Sequence, residues 1–226
     1  MVAEAAARFK GRAAGSQKQM DAIETVNAAF GNVPYMLGFQ AVVLRNMIVS
    51  NGLRSALELG CAHGKGTCYL AAIMEERGGP GQVTTLDKSS CLSQEPNVHQ
   101  MLAALNLAHR VSVILEPRSF TMALLKMLEH PSRPKFDLCY FDGGHSWDET
   151  GYAFLLIDKL LTPGAWVIFD DLDWTMADSP SVPNATHPEA ERRMRQVRKV
   201  WEILVPGANY INRRETALGW GIAQKP

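Results

Sequence analysis

Four short stretches of the chain hold the side chains that can do chemistry: LELGCAHGKGT (57–67), TTLDKS (84–89), YFDGGHSWDE (140–149) and VIFDDLDW (167–174). A phosphate-binding loop needs four residues between its first glycine and a Gly-Lys pair, then a hydroxyl residue to meet Mg²⁺. Here three residues separate Gly60 from Gly64, and Gly66 follows Lys65. A dinucleotide fingerprint needs Gly-x-Gly-x-x-Gly, so that a pyrophosphate reaches the helix end. The order Gly60, Gly64, Gly66, with Glu58 just before it, instead suits a ligand that has no pyrophosphate. Asp87 follows about 20 residues later, where a carboxylate can accept both hydroxyls of a ribose. Asp142 and His145 share one turn, and Asp170 adjoins Asp171. That histidine can accept a proton near neutral pH, or merely position Asp142. Asp-Asp after a strand commonly solvates a loop or caps a helix.

The elements that must position these residues are legible in the alternation of apolar runs with helical patterns. SALELG, QVTTLD, RVSVIL, FDLCYFD and GAWVIFDD are short and rich in β-forming residues, and helix-like stretches separate them. This rhythm predicts an α/β fold, a mostly parallel sheet covered on both faces. TCYLAAIMEERGG predicts a helix stopped by Gly78 and Gly79, and SWDETGYAFLLIDKLLTPG a helix capped by Ser146 and ended at Pro163 and Gly164. Two or three helices are expected in residues 1–50, forming a cap on a catalytic unit of residues 51–226. NYINRRE and LGWGIAQK predict a closing antiparallel hairpin. Met194, Val197, Trp201 and Leu204 fall on one helical face, and Arg192, Arg195 and Lys199 are expected on a solvated one. Docking of an anionic partner is the second reading of that basic run.

An acidic residue two positions before Gly-x-x-x-Gly-x-Gly at the end of a first strand resembles the S-adenosylmethionine site of class I methyltransferases. Asp87, Ser119 in EPRSF, and the DGGH and DD strand ends extend the resemblance. They are similar to those of metal-dependent bacterial O-methyltransferases of natural products, macrolide sugars among them, and more distantly to catechol and caffeoyl-CoA O-methyltransferases. The helix LGFQAVVLRNMIVSNG before the first strand fits the same branch. The resemblance implies a Rossmann-like sandwich with a seven-stranded sheet. It implies cofactor contacts from Glu58, Gly60, Ala62, Gly64, Gly66, Thr67, Asp87, Ser119, Asp142 and Trp147, with Gly60 and its neighbours leaving room for the methionine and ribose. Two departures are visible: Gly66 replaces a common serine, and LEPRS replaces a common Gly-x-Ser.

In that family the strands ending at Asp142 and at Asp170 and Asp171 are neighbours, so the three carboxylates would repel one another without a cation between them. Oxygen donors favour Mg²⁺ or another hard divalent cation. Asp142, Asp170 and Asp171 are therefore the expected metal ligands, and His145 with Asp142 the catalytic pair. The expected reaction transfers a methyl group from S-adenosylmethionine to a metal-bound hydroxyl of a small molecule, a secondary metabolite by resemblance. A cofactor-binding scaffold without catalysis, a metal-independent enzyme and a non-methylating one remain as alternatives. His63 is expected to line the cofactor pocket and Lys65 to lie on a solvated helix start. The long polar segment 172–190 is expected to form a substrate lid, with Trp174 and Met176 touching the acceptor.

Composition narrows the partners. Twenty-three basic residues balance 23 acidic ones in a 226-residue chain that is 46% apolar, so no basic field draws nucleic acid or an acidic membrane. Four cysteines form no Cys-x-x-Cys pair, which fits reduced thiols. The longest apolar run, AVVLRNMIV, is broken by Arg45 and too short to span a bilayer. A cytoplasmic protein acting on a small hydroxylated acceptor, as a homodimer, is expected.

Overall fold

The computed structural model describes residues 21–179 and 187–226. Seven strands make one sheet: β1 (Ser55–Leu59), β2 (Gln82–Lys88), β3 (Val111–Glu116), β4 (Phe136–Phe141), β5 (Leu161–Phe169), β6 (Ile211–Glu215) and β7 (Gly221–Gln224). Their order is β3-β2-β1-β4-β5-β7-β6, parallel from β3 to β5 and antiparallel at β7 and β6. This is the mostly parallel sheet with a closing hairpin that the sequence pattern predicts, in the seven-stranded Rossmann-like form that the resemblance implies.

Strand alternation sorts side chains onto two cores. Ala56, Leu138, Tyr140, Trp166 and Ile168 face one layer; Leu57, Leu59, Cys139, Phe141, Val167 and Phe169 face the other. The first layer is closed by α1 (Ala22–Phe30), α2 (Gly38–Ser50), α3 (Lys65–Arg77) and α4 (Val98–Ala104). The second is closed by α5 (Phe120–Glu129), α6 (Trp147–Leu160) and the C-terminal helical segment.

Local chemistry fixes the helix ends. Asp21 and Glu24 form a reciprocal capping box on α1, Ser119 and Ser146 cap α5 and α6, and Gly78 stops α3 at φ 67°. Helix α6 ends earlier than expected, because Leu161 already pairs with Phe136 and β5 carries Pro163 and Gly164 through a register shift. The expected amphipathic C-terminal helix is instead broken into Glu189–Arg192, Gln196–Lys199, a π-helical turn Val200–Leu204 and Val205–Gly207. Arg192 is buried and Met194 exposed, the reverse of the periodic expectation, while Val197 and Trp201 are buried as predicted. Arg195 and Lys199 pair with Asp173 and Glu202.

The cap helices α1 and α2 share one apolar core with α3 through Val26, Leu44 and Ile48. Among the described residues, no helix is long and apolar enough to cross a membrane. The lid expectation falls partly on residues 180–186, which lie outside the described residues.

Candidate active site

The parallel register lines up the strand ends. Leu59 sits opposite Leu86 and Phe141, and Phe141 opposite Phe169. The next residue of each strand therefore emerges at one level, giving a row of Asp87, Gly60, Asp142 and Asp170. Backbone bonds tie the row together: Gly60 N donates to Leu86 O, Asp142 N to Leu59 O and Asp170 N to Phe141 O, at 2.8, 2.9 and 2.9 Å. Ligands of open parallel sheets bind at this edge. Here it opens onto a cavity of about 530 Å³, within the usual range for a cofactor or small ligand.

Glu58, Gly60, Ala62, Gly66, Asp87, Asp142, His145 and Asp171 line that cavity, so most of the expected site residues are brought together. Glu58 is fully buried; Thr67 Oγ1 donates to its Oε2, and Thr85 Oγ1 does so at 2.6 Å. Burial raises the Glu58 carboxyl to about 7 against the pull of both hydroxyls. Thr67 thus holds Glu58 rather than facing the cavity. Asp87 Oδ2 accepts the backbone N–H groups of Cys61 and Ala62, each at 2.8 Å, and clamps the glycine loop to β2.

The loop glycines answer to the protein's own packing. A Cβ on Gly60, whose φ is 90°, would lie 2.2 Å from the Asp142 carbonyl oxygen, and one on Gly66 would lie 2.6 Å from Glu58 Oε1. Gly60 lines the cavity, and its missing side chain also admits the β4 backbone. The departure at Gly66 has the same kind of reason, since serine there would collide with Glu58. Gly64 packs on Val98 outside the cavity.

On the other side, Asp142, His145 and Asp171 have ligand atoms within 4.8 Å of one another. His145 Nε2 is 2.8 Å from Asp171 Oδ2, and Trp174 lies over the His145 ring at 4.7 Å between centroids. Burial first, then the charges of Asp170 and Asp171, push the Asp142 carboxyl well above the usual carboxylate range. Asp170 is raised too, mainly by burial. A half-buried acidic cluster of this kind fits a cation, and two carboxylates are enough for Mg²⁺, which keeps several waters. Asp170 stands apart from the expected ligand trio. Its Oδ2 accepts the Tyr140 hydroxyl at 2.5 Å and its Oδ1 the Asp171 N–H at 2.7 Å. Tyr140, which sequence reasoning missed, also lies 3.3 Å from Asp142 Oδ2.

Several expected contacts sit elsewhere. Ser119 Oγ caps α5 and donates to Glu149 Oε1 at 3.0 Å, and the Trp147 N–H donates to Gln196 Oε1 at 2.6 Å; neither residue lines the cavity. His63 turns away, its Nδ1 2.8 Å from Pro96 O. Trp174 lines the cavity, whereas Met176 is buried against Gln196. Lys65 is not solvated: it is buried, and its Nζ donates to Val33 O at 2.7 Å and Gly31 O at 3.2 Å. Burial lowers its pKa. Those bonds hold the α1–α2 connection so that Tyr35 and Met36 reach the cavity.

Comparison with known proteins agrees with this architecture. A candidate caffeoyl-CoA O-methyltransferase from Staphylococcus aureus superposes with a TM-score of 0.67 at 20% identity, over 93% of this chain and 95% of its own. An O-methyltransferase from Bacillus cereus, solved with S-adenosylhomocysteine, gives 0.63 at 21% identity over 90% and 89%. The O-methyltransferase TomG of tomaymycin synthesis from Streptomyces achromogenes, solved with S-adenosylmethionine, gives 0.62 at 22% over 92% and 91%. No curated protein matches the sequence. The profile of a methyltransferase domain matches residues 57–172, from the glycine loop through Asp171 and across half of the chain, and the chain belongs to that methyltransferase family.

Proposed function

We propose that the chain transfers a methyl group from S-adenosylmethionine to a hydroxyl of a small molecule, with a divalent cation, Mg²⁺ by donor chemistry, at Asp142 and Asp171. One observation carries the reading: Asp142, His145 and Asp171 converge on the same cavity as the glycine loop and Asp87. The donor set supports a hard ion through its two carboxylates. When bound, the cation neutralises those carboxylates and lowers the pKa of a hydroxyl that touches it.

The chain's own residues do the rest. Asp87 and the glycine loop that it clamps would hold the nucleoside end of the cofactor, with Glu58 fixing the loop from below. His145 is the base: Asp171 orients its ring through Nε2 and Trp174 lies over it, which leaves Nδ1 to take the acceptor's proton. Methyl transfer needs no covalent enzyme intermediate, because the sulfonium is already an electrophile, and catalysis rests on holding the oxygen in line. Trp174 and Tyr35 at the cavity edge would contact the acceptor. A hydroxylated secondary metabolite is the acceptor class that the likeness to TomG supports.

The test is calorimetric titration with S-adenosylhomocysteine, followed by methyl transfer from S-adenosylmethionine to a panel of phenols and glycosides, with Mg²⁺ and with EDTA. Cofactor binding with transfer that EDTA abolishes is expected. Absence of cofactor binding would overturn the reading, and undiminished transfer in EDTA would remove the cation from it.

A further inference from the structure

A second group of ligating side chains lies in the same cavity, away from the carboxylates. Cys61, in the glycine loop, and Cys91, in the turn Ser89–Ser93 after β2, place their sulfurs within 4.8 Å of each other and of an Asp87 carboxylate oxygen. All three residues line the cavity, and both cysteines are 6% exposed. They are not a disulfide. The two thiols interact directly: Cys91 accepts from Cys61, which lowers Cys91 below the usual thiol range and, with burial, raises Cys61. Cys68 and Cys139, by contrast, are buried away from the cavity.

We propose that Cys61, Asp87 and Cys91 form a binding site for a soft, thiophilic divalent cation, Zn²⁺ or Cd²⁺, whose occupation excludes the nucleoside cofactor.

The donor chemistry selects the ion. Two sulfurs and one oxygen match the three-protein-ligand arrangement of tetrahedral zinc, with the fourth position facing the cavity. Thiolates favour soft ions and are poor partners for Mg²⁺. Binding is balanced without any oxidant: the ion displaces one proton from each thiol, and two protons are released to solvent. Asp87 already accepts the Cys61 and Ala62 amides through Oδ2. Ligation of the same carboxylate takes it from a ribose, and the ion fills the floor of the cavity. One cavity therefore sorts two cations by hardness, one activating and one inhibitory. The inhibitory half rests on the cofactor assignment above, whereas the ion site stands on the three side chains alone.

Cd²⁺ is the probe, titrated into the fully reduced whole chain in a large excess of Mg²⁺ while the ultraviolet thiolate-to-cadmium charge-transfer band is followed. One equivalent should raise the band despite the Mg²⁺. Cys61→Ser and Cys91→Ser should each lose it while unfolding as wild type does, and Asp87→Asn should bind more weakly. In the wild-type chain, Cd²⁺ should also shield Cys61 and Cys91, but not Cys68 or Cys139, from alkylation read by peptide mass. The same Cd²⁺ should weaken S-adenosylhomocysteine binding. Absence of the band, a band unchanged in Cys91→Ser, or loss of both thiols as a disulfide two hydrogens lighter would overturn the site. If the band forms but the reduced, metal-free protein does not bind S-adenosylhomocysteine, the cofactor assignment fails and the ion site stands.

Discussion

His145 Nε2 and Asp171 Oδ2 are 2.8 Å apart although 26 residues separate them, and they come from loops after adjacent strands. Asp171 reaches the ring from a left-handed backbone, φ 57°, a conformation unusual for a residue with a side chain and tolerated best by Asp and Asn. The geometry makes Asp171 the group that aims the imidazole. His145→Ala should lower kcat at neutral pH by about 10²- to 10⁴-fold, the usual contribution of a positioned base. S-adenosylhomocysteine affinity should be kept in the same calorimetric assay. Normal turnover would remove the role.

Cation affinity should depend on pH. Asp142 holds its proton above the usual carboxylate range and must release it to ligate, so Mg²⁺ should bind more tightly as pH rises through the region where that proton is lost. Asp171→Asn should abolish the isotherm. Mg²⁺ titrations at several pH values check both, and an affinity flat across them would place the ion elsewhere.

Tyr140, two residues before Asp142 on β4, donates toward Asp170 and Asp142 from within the core, edge-on to Trp220. Tyr140→Phe leaves the Asp170 oxygen without that donor, and the lost bond should cost about 1–3 kcal/mol of stability. Urea unfolding measures it. Freed of the phenol, Asp170 should also change the Mg²⁺ affinity; an affinity and a stability both equal to wild type would show that the bond does nothing.

Glu58 sets a stability slope with a definite sign. Its carboxyl is raised from 4.5 to about 7, so the native state binds the proton more tightly than the unfolded chain does. The stabilisation is fully present below pH 4.5 and is lost as pH rises through about 7. Glu58→Gln, neutral throughout, should gain on wild type by about 3 kcal/mol across that window. Asp142 and Asp170 are shifted in the same direction and remain in both proteins, so the difference reads Glu58 together with the effect of its charge on Asp142. Parallel stability curves would refute the assignment.

Lys65 anchors the cavity lip. Lys65→Met removes the charged donor to Gly31 and Val33, and each hydrogen bond to a charged group is worth about 1.5–3 kcal/mol. Hydrogen exchange over residues 31–36 should quicken, and cofactor affinity should fall with it. Unchanged exchange there would mean that the segment is held by its apolar contacts.

The sheet was legible because buried parallel strands read as short apolar runs, and the helix ends because Asp21, Ser119 and Ser146 cap in the ordinary way. The break at Leu160 was not: Pro163 and Gly164 look like loop punctuation, yet they ride through an irregular strand whose partner lies 25 residues upstream at Phe136. The row of Gly60, Asp87, Asp142 and Asp170 was visible as motifs, since each ends an apolar run. Its wiring was hidden. That Tyr140 reaches Asp170 follows from two neighbouring strands sharing a register, which no single stretch encodes. Lys65 was misplaced because lysine is usually solvated, and only the fold brings two carbonyls to its ammonium. Ser119 and Trp147 were placed at a ligand by motif, but they serve helix starts to one side of it.

The contact of Gly60 with the Asp142 carbonyl is the seam between two sides of the cavity. On one side lie β1, β2 and the loop that Asp87 clamps. On the other lie the ends of β4 and β5, with Asp142, His145, Asp171 and Trp174 lining the cavity. At Gly60 the two sides meet backbone to backbone, so a side chain added there would push the end of β4 away from the loop. The two groups of side chains therefore share one cavity only while position 60 stays glycine.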